Sequence, residues 1–272
     1  MLIDFHAHIF PDAIAEKAIA SLKKGLWNKQ GADYPALTYA DGTINGLLKS
    51  MEENGVDLSI TMPVVTSAKQ TDSINNFAQS VMSDKVISFA GIFPLQDDWE
   101  TKMEEIKEAG FLGIKLHSEF QQLFLDSERA IAIFKKARDL DLIVMLHAGE
   151  DPGVICPDYS SPKRIAKGLQ EAKGVKLIAA HMGGWDSWDE VEEYLVGKDI
   201  YFDISMVNDF LSLEQCERII KNHGSDKVLF GTDSPWQKPS DVVNYLKSMN
   251  LTDEDFQKIT HKNALKLLGI NE

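Results

Sequence analysis

The sequence predicts an α/β protein, a single-domain (β/α)8 barrel with an insertion after its first strand. Three observations lead there. Short apolar runs rich in β-branched residues alternate with amphipathic segments from one end of the chain to the other, which is the pattern of βαβ units and a parallel sheet. Eight such runs recur and, after the first, start about 24 to 34 residues apart, the spacing of a closed barrel. The length of 272 residues suits one barrel, which takes about 250.

The strands are expected near 2–6, 56–62, 86–92, 111–117, 142–147, 176–181, 200–204 and 227–232. Helical spacing is clear between them over Trp99 to Ala109, Glu128 to Leu140 and Leu213 to Lys221. The first interval is the exception. From Pro11 to Asn54 the chain runs longer than any other connection, with a helix after Pro11, a loop through Gly31 to Asp41 and a second helix from Thr43. An insertion at that point belongs to the catalytic face of a barrel, where it forms either a lid or an excursion over the surface. Two helical stretches follow the eighth strand, and the one containing Asn263 to Gly269 is expected to pack as the closing helix. Gly and Pro are scattered at element ends and no linker divides the chain, so one domain spans 1–272.

The apolar fraction of 44% and charged fraction of 26% are those of an ordinary soluble globular protein. The formal net charge is 28 − 42 = −14. An acidic surface repels phosphate backbones, so the expected partner is a small-molecule substrate and not nucleic acid. Cys156 and Cys216 stand far apart in no metal-type spacing, which suits a reducing cytoplasm. The stretch Met1 to His6 lacks a basic region and is interrupted by Asp4, unlike a signal peptide. No run approaches the roughly 20 apolar residues of a membrane span. The expectation is a cytoplasmic protein with no membrane association.

The chain has seven histidines, and His6, His8, His117, His147 and His181 fall at or near C-terminal ends of expected strands. A parallel barrel delivers all those ends to one rim, so residues distant in sequence converge there. His6 and His8 form His-x-His, and residues i and i+2 of a strand share a face. His147 closes Leu142 to Leu146, where it is either a ligand or a buried imidazole bonded to a carbonyl. His181 closes Leu177 to Ala180 and precedes Gly183 and Gly184, which allow close backbone approach. Asp233 closes Val228 to Thr232, as a ligand or as the cap of a following helix. Three imidazoles and a carboxylate make a suitable donor set for Zn²⁺ or another borderline divalent ion. Gly113, Lys115 and His117 share one face of the fourth strand. His223 and His261 lie outside the cluster and are expected to be structural or solvent-facing. Trp185 and Trp236, next to His181 and Asp233, are candidate pocket walls. Cys156 lies in the loop after the fifth strand, with nothing to mark it as a nucleophile.

The segments Ile3-Asp4-Phe5-His6-Ala7-His8, Gly113-Ile114-Lys115-Leu116-His117, His147-Ala148-Gly149, His181-Met182-Gly183-Gly184 and Phe230-Gly231-Thr232-Asp233-Ser234-Pro235, with the terminal Asn263-Ala264, resemble the amidohydrolase superfamily. The resemblance is to its amidohydrolase-2 branch, metal-dependent hydrolases of TIM-barrel fold, and it covers essentially the whole chain. It implies that His6, His8, His147 and Asp233 hold the metal. By analogy with mononuclear members such as the aminocarboxymuconate semialdehyde decarboxylases, His181 orients or deprotonates a water beside the ion. In binuclear members the equivalent histidine binds a second ion and a carboxylated strand-four lysine bridges the two. The reading taken is one ion and a positive Lys115, with a carboxylated bridge as the other possibility. Lys115, His117, Trp185 and Trp236 are then expected to contact substrate. The deoxyribonuclease branch shares His-x-His but is marked by a glutamate on a middle strand, where this chain has Lys115. The resemblance also allows a homodimer.

Metal-activated water gives the expected function: hydrolysis of a small amide, ester or lactone, with Asp233 handling the proton and His181 catalytic beside it. The alternative is non-oxidative decarboxylation of a small carboxylated substrate, with Lys115, Lys163 or Arg164 as the cation for its carboxylate. A catalytically inactive binding barrel is the third reading, disfavoured by the complete metal set. Second-sphere acids such as Asp4 are expected to fix imidazole tautomers.

Overall fold

Each strand of this chain carries apolar side chains on both faces, and the two faces pack into different cores. The computed structural model describes residues 1–33 and 37–271. Its strands are β1 (Ile3–Ala7), β2 (Leu58–Thr61), β3 in two pieces (Val86–Ser88 and Ala90–Gly91), β4 (Gly113–Leu116), β5 (Ile143–Leu146), β6 (Leu177–Ala179), β7 (Tyr201–Asp203) and β8 (Val228–Leu229). Neighbours in this order pair in parallel. The two pieces of β3 flank Phe89, whose N–H still donates to the Thr61 carbonyl at 2.9 Å. The ring closes where Phe5 N–H donates to the Phe230 carbonyl at 2.9 Å and Ala7 bridges Ser234 in parallel.

Inside the barrel lie Ile3, Phe5, Ile60, Phe89, Ile143, Met145, Ile178, Tyr201 and Leu229. The alternate residues, among them Val144, Leu146, Leu177, Ala179, Phe202 and Val228, face the helices in a second core, as the period of two requires. Ala264, Leu265, Leu267 and Leu268 of the helix Asn263–Leu268 plug the floor of the inner core, the place expected for the closing helix. The expected strands are all present; β1 is shifted by one residue and the others are shorter, because pairing stops where the chain turns into the rim loops. The helices Trp99–Glu108, Glu128–Asp139 and Leu213–His223 sit where the spacing put them. Among the described residues no helix is long and apolar enough to cross a membrane.

The insertion contains α1 (Asp12–Gln30) and α2 (Ile44–Asn54). The Thr43 hydroxyl caps α2 by accepting from Gly46 N–H at 3.0 Å, in the usual N-cap manner. Part of the loop expected over 31–41 lies outside the described residues. The end of α1 rests on the loop after β5: Lys29 Nζ donates to the Asp151 carbonyl at 2.8 Å and Gln30 Nε2 to that of Pro152 at 3.2 Å. Tyr39 N–H donates to the Pro235 carbonyl after β8, at 2.8 Å. The insertion therefore crosses the loops of the catalytic face.

Gly113 faces inward, and a Cβ there would lie 2.6 Å from both the Phe89 ring and the Ile143 carbonyl. A Gly113→Ala substitution overpacks the inner core at a rigid position and is expected to cost about 1–3 kcal/mol. Urea denaturation of the metal-free protein measures it; an unchanged midpoint would show that the barrel wall yields.

Candidate metal centre at the barrel rim

Strict alternation would turn His6, His8 and His181 away from the barrel axis, and the backbone corrects all three. Ile3 and Phe5 face inward, so an even strand would send His6 outward. Between Asp4 and Ala7, however, β1 advances three residues while β2 advances two, from Ser59 to Thr61. This extra residue is a bulge, which re-aims the side chains that follow. Asp4 secures it, accepting from His6 N–H at 3.2 Å, Thr232 N–H at 3.0 Å and the Thr232 hydroxyl at 2.6 Å. Burial pushes the Asp4 carboxyl up, to about 7, against those donors. At the end of β6, His181 (φ +59°) and Met182 (φ +55°) are left-handed, and the turn brings His181 Nε2 to 3.2 Å from His147 Nδ1. Asp233 is left-handed too, at φ +54°. Such conformations cost about 1–3 kcal/mol each and gather at functional sites.

Three donor atoms meet at the rim. His6 Nε2 and His8 Nε2 are 3.2 Å apart, and Asp233 Oδ1 is 3.4 Å from the first and 3.0 Å from the second. Ligands held at about 2.0–2.2 Å from a tetrahedral ion lie about 3.3–3.6 Å from one another, so this triple would take a divalent cation after opening by a few tenths of an ångström. The protonation pattern agrees. His6 Nδ1 donates to Asp203 Oδ2 at 2.8 Å, which leaves the Nε2 lone pair toward the site, where Lys115 Nζ lies 3.2 Å away. His147 Nε2 faces the Glu150 carbonyl at 3.3 Å, leaving Nδ1 toward His181. Burial, then the Lys115 charge, lowers His6 to about 4, and burial takes His147 well below its ordinary value. Both are neutral, as ligands must be. Burial opposes the charged form of Asp233, but its imidazole neighbours outweigh that and hold it below the usual carboxylate range. Burial lowers Lys115 to about 8 while Asp233 and Asp203 hold it up.

Of the sequence-derived residues, His6, His8 and Asp233 form the close triple, and His147 joins it through His181. Asp203 was missed. It does for His6 what Asp4 was expected to do, while Asp4 bonds backbone and Thr232. An acid closing the seventh strand on the inward face of Tyr201 was the available signal.

His117 is buried between two carboxylates, with Nε2 3.2 Å from Asp151 and Nδ1 3.4 Å from Glu119. Burial lowers its pKa, but these acids outweigh it and the net shift is upward. Its ring stacks on His147 at 4.4 Å and 8°. Parallel rings aim their lone pairs side by side, so the His117–Glu119–His147 group does not converge on a second ion. Trp185 is buried and meets the Phe210 ring edge-on at 5.4 Å, whereas Trp236 is partly exposed and its N–H donates to the Asp233 carbonyl. Arg164 pairs with Asp126 and Asp158, and Lys163 lies over the Tyr194 ring, so both are engaged on the helix Pro162–Glu171; Lys115 is the candidate cation beside the triple. His223 is buried, between Gly197 N–H and the Ile200 carbonyl, and His261 is buried beside the Thr260 hydroxyl. Cys156 is exposed and Cys216 buried, both as free thiols.

A family model described as "Amidohydrolase" matches residues 3–270. No curated protein matches the chain. Among solved structures, 5-carboxyvanillate decarboxylase from Sphingomonas paucimobilis is 16% identical, with TM-score 0.73 and 99% of each chain covered. Dihydroxybenzoic acid decarboxylase from Polaromonas sp. JS666, with bound manganese and the inhibitor 2-nitroresorcinol, is 16% identical with TM-score 0.72, covering 100% of this chain and 97% of that one. An uncharacterized TIM-barrel protein from Bordetella bronchiseptica is 16% identical with TM-score 0.77, covering 98% of each. These likenesses establish the barrel fold. They also correct the expected function: the named activities here are decarboxylations, and hydrolysis of an amide, ester or lactone is set aside.

His8→Ala removes a donor from the triple, and the expected loss of metal affinity exceeds the about 10- to 100-fold typical of an outer partner. His181→Asn should keep the ion, because His181 is expected to handle a proton beside it and His6, His8, His147 and Asp233 to hold it. Elemental analysis of both proteins tests this; metal loss in His181→Asn would make His181 a ligand.

Proposed function

The chain belongs to the amidohydrolase family, and on that premise we propose that it catalyses metal-dependent, non-oxidative decarboxylation of a small carboxylated substrate. The observation that carries the reading is Lys115, a fully buried amine 3.2 Å from His6 Nε2. Its charge is held up by Asp233, then Asp203, Glu119 and Asp151, and a dication in the triple would set two more positive charges beside it, drawing an anion to the point between them. A neutral amide or ester has no use for that charge, whereas a substrate carboxylate does. The decarboxylases of the same fold support the same choice.

His6, His8, His147 and Asp233 would hold the ion, one per chain. We favour zinc for this nitrogen-rich set, with manganese, present in one similar structure, as the competitor. When bound, the ion supplies charge stabilisation and orientation to an anionic substrate. Lys115 Nζ anchors the carboxylate. As the carbon–carboxylate bond breaks, carbon dioxide leaves and the bonding pair stays on the substrate carbon, which must take a proton. His181 Nε2 is the atom suited to deliver it, since Nδ1 is occupied by the Ser205 carbonyl at 3.2 Å; Asp233 is the second candidate. Trp185 and Trp236 would bound the substrate's apolar part, and His117, fixed by its two acids, keeps His147 in place by stacking.

Carbon dioxide release by the zinc- and manganese-loaded protein from a panel of hydroxybenzoic and unsaturated carboxylic acids is the direct test. Lys115→Met should lower kcat/KM by about 100-fold or more, in line with the about 3–5 kcal/mol that an unpaired buried charge costs, and Lys115→Arg should lose less. A second ion that requires bicarbonate would instead make Lys115 a carboxylated bridge and sink the proposal.

A further inference from the structure

Asp203 closes β7 completely buried and gathers four donors. Its Oδ2 accepts from His6 Nδ1 at 2.8 Å, while Oδ1 accepts from His181 N–H at 3.1 Å, Ser205 N–H at 2.9 Å and the Ser205 hydroxyl at 2.5 Å. Ser205 in turn touches both imidazoles: Oγ is 3.2 Å from His6 Nδ1 and 3.0 Å from His181 Nδ1, and its carbonyl is 3.2 Å from His181 Nδ1. The His6, His181 and Asp203 atoms lie close enough together to suggest ligands, but the Ser205 hydroxyl bonds to all three residues and takes up the space among them.

The protons can be counted. A carboxylate only accepts. The single hydroxyl proton of Ser205 goes to Asp203 Oδ1, so Oγ has only lone pairs left to offer. Every group facing the two Nδ1 atoms is then an acceptor. Both rings must carry a proton on Nδ1; His6 then presents an Nε2 lone pair to the rim, and His181 turns its Nε2 toward His147 Nδ1, 3.2 Å away.

We propose that Asp203 and Ser205 are a positioning pair that sets the tautomer of His6 and His181 together, so that one buried carboxylate orients a metal ligand and the proton-handling histidine at once. This rests on the metal-centre reading given above but on no particular substrate. Neither residue touches the reacting atoms.

Asp203→Asn is the informative change, because it keeps the shape. The two backbone N–H groups and the Ser205 hydroxyl hold the amide oxygen, so the NH₂ must face His6 Nδ1. A donor then meets a donor. His6 is expected to move its proton to Nε2, and the ligand lone pair is lost. In ¹⁵N spectra of the metal-free full-length protein, His6 should change from the Nδ1–H to the Nε2–H pattern. Zinc affinity, from chelator competition, should fall about 10- to 100-fold. Ser205→Ala should move the His181 ¹⁵N shifts most, while His6 keeps its Nδ1 proton on Asp203 Oδ2 and zinc affinity falls less than in Asp203→Asn. It also keeps the test open if Asp203→Asn fails to fold. A purely structural Asp203 would lower thermal stability with no change of tautomer. That result, or a folded Asp203→Asn protein binding zinc as wild type, overturns the proposal, as do unmoved His181 shifts in Ser205→Ala. None of these readouts involves substrate, so failure of the decarboxylase reading would be seen separately.

Discussion

A buried hydrogen bond of 2.8 Å from His6 Nδ1 to Asp203 Oδ2 spans the top of the barrel, from the first strand to the seventh across the eighth. Much of the rim is arranged around it. A carboxylate with no water must be met by donors or it costs several kcal/mol, and Asp203 is met by two side chains and two backbone N–H groups from the ends of β6 and β7. The same contacts that make its burial tolerable fix where His181 leaves its strand and which nitrogen of His6 looks inward. Folding of the rim and preparation of the donor set are thus one event.

The rim backbone is shaped to that end. His181, Met182, Met206 and Asp233 all adopt positive φ, a conformation that L-residues enter at a cost. Gly149 shows how tightly the loops are packed: at φ +82°, a Cβ on it would lie 2.3 Å from Trp185 N and 2.4 Å from Trp185 O. A side chain there would part the loop after β5 from the loop after β6, and with it the contact between His147 and His181. The strain is held by packing from below, since Met182, Trp185 and Val207 of the rim are part of the core between barrel and helices.

The barrel was legible because period-two alternation and strand spacing are local signals, and for β4, β5 and β8 alternation also told which way the last residue points. Lys115 was placed by that rule, and His147 and Asp233 by closing their strands. His6 was placed correctly relative to His8, yet the bulge that turns both inward depends on the register between β1 and β2, which no local pattern carries. His181 likewise reaches the site through a left-handed turn that its sequence permits without announcing. Asp203 was overlooked because an acid at a strand end has many ordinary roles, and only the convergence of His6, His181 and Ser205 gives it this one. The fate of Lys163 and Arg164 was beyond local reading for the same reason: their partners Tyr194, Asp126 and Asp158 come from other elements.

The overall charge of −14 and the charge of Lys115 act at different ranges, and on the decarboxylase proposal they would together select the kind of anion admitted. Surface charge is screened beyond about 8–10 Å at physiological salt, so a small carboxylate feels the acidic exterior only weakly and only on approach. A polyanion would have to lay many phosphates along that exterior and would be opposed along its whole length. Inside, Lys115 is shielded from solvent and its field is screened little. On that proposal the arrangement would admit an anion small enough to leave the surface behind, and a buried lysine, not the sign of the whole protein, would define the substrate.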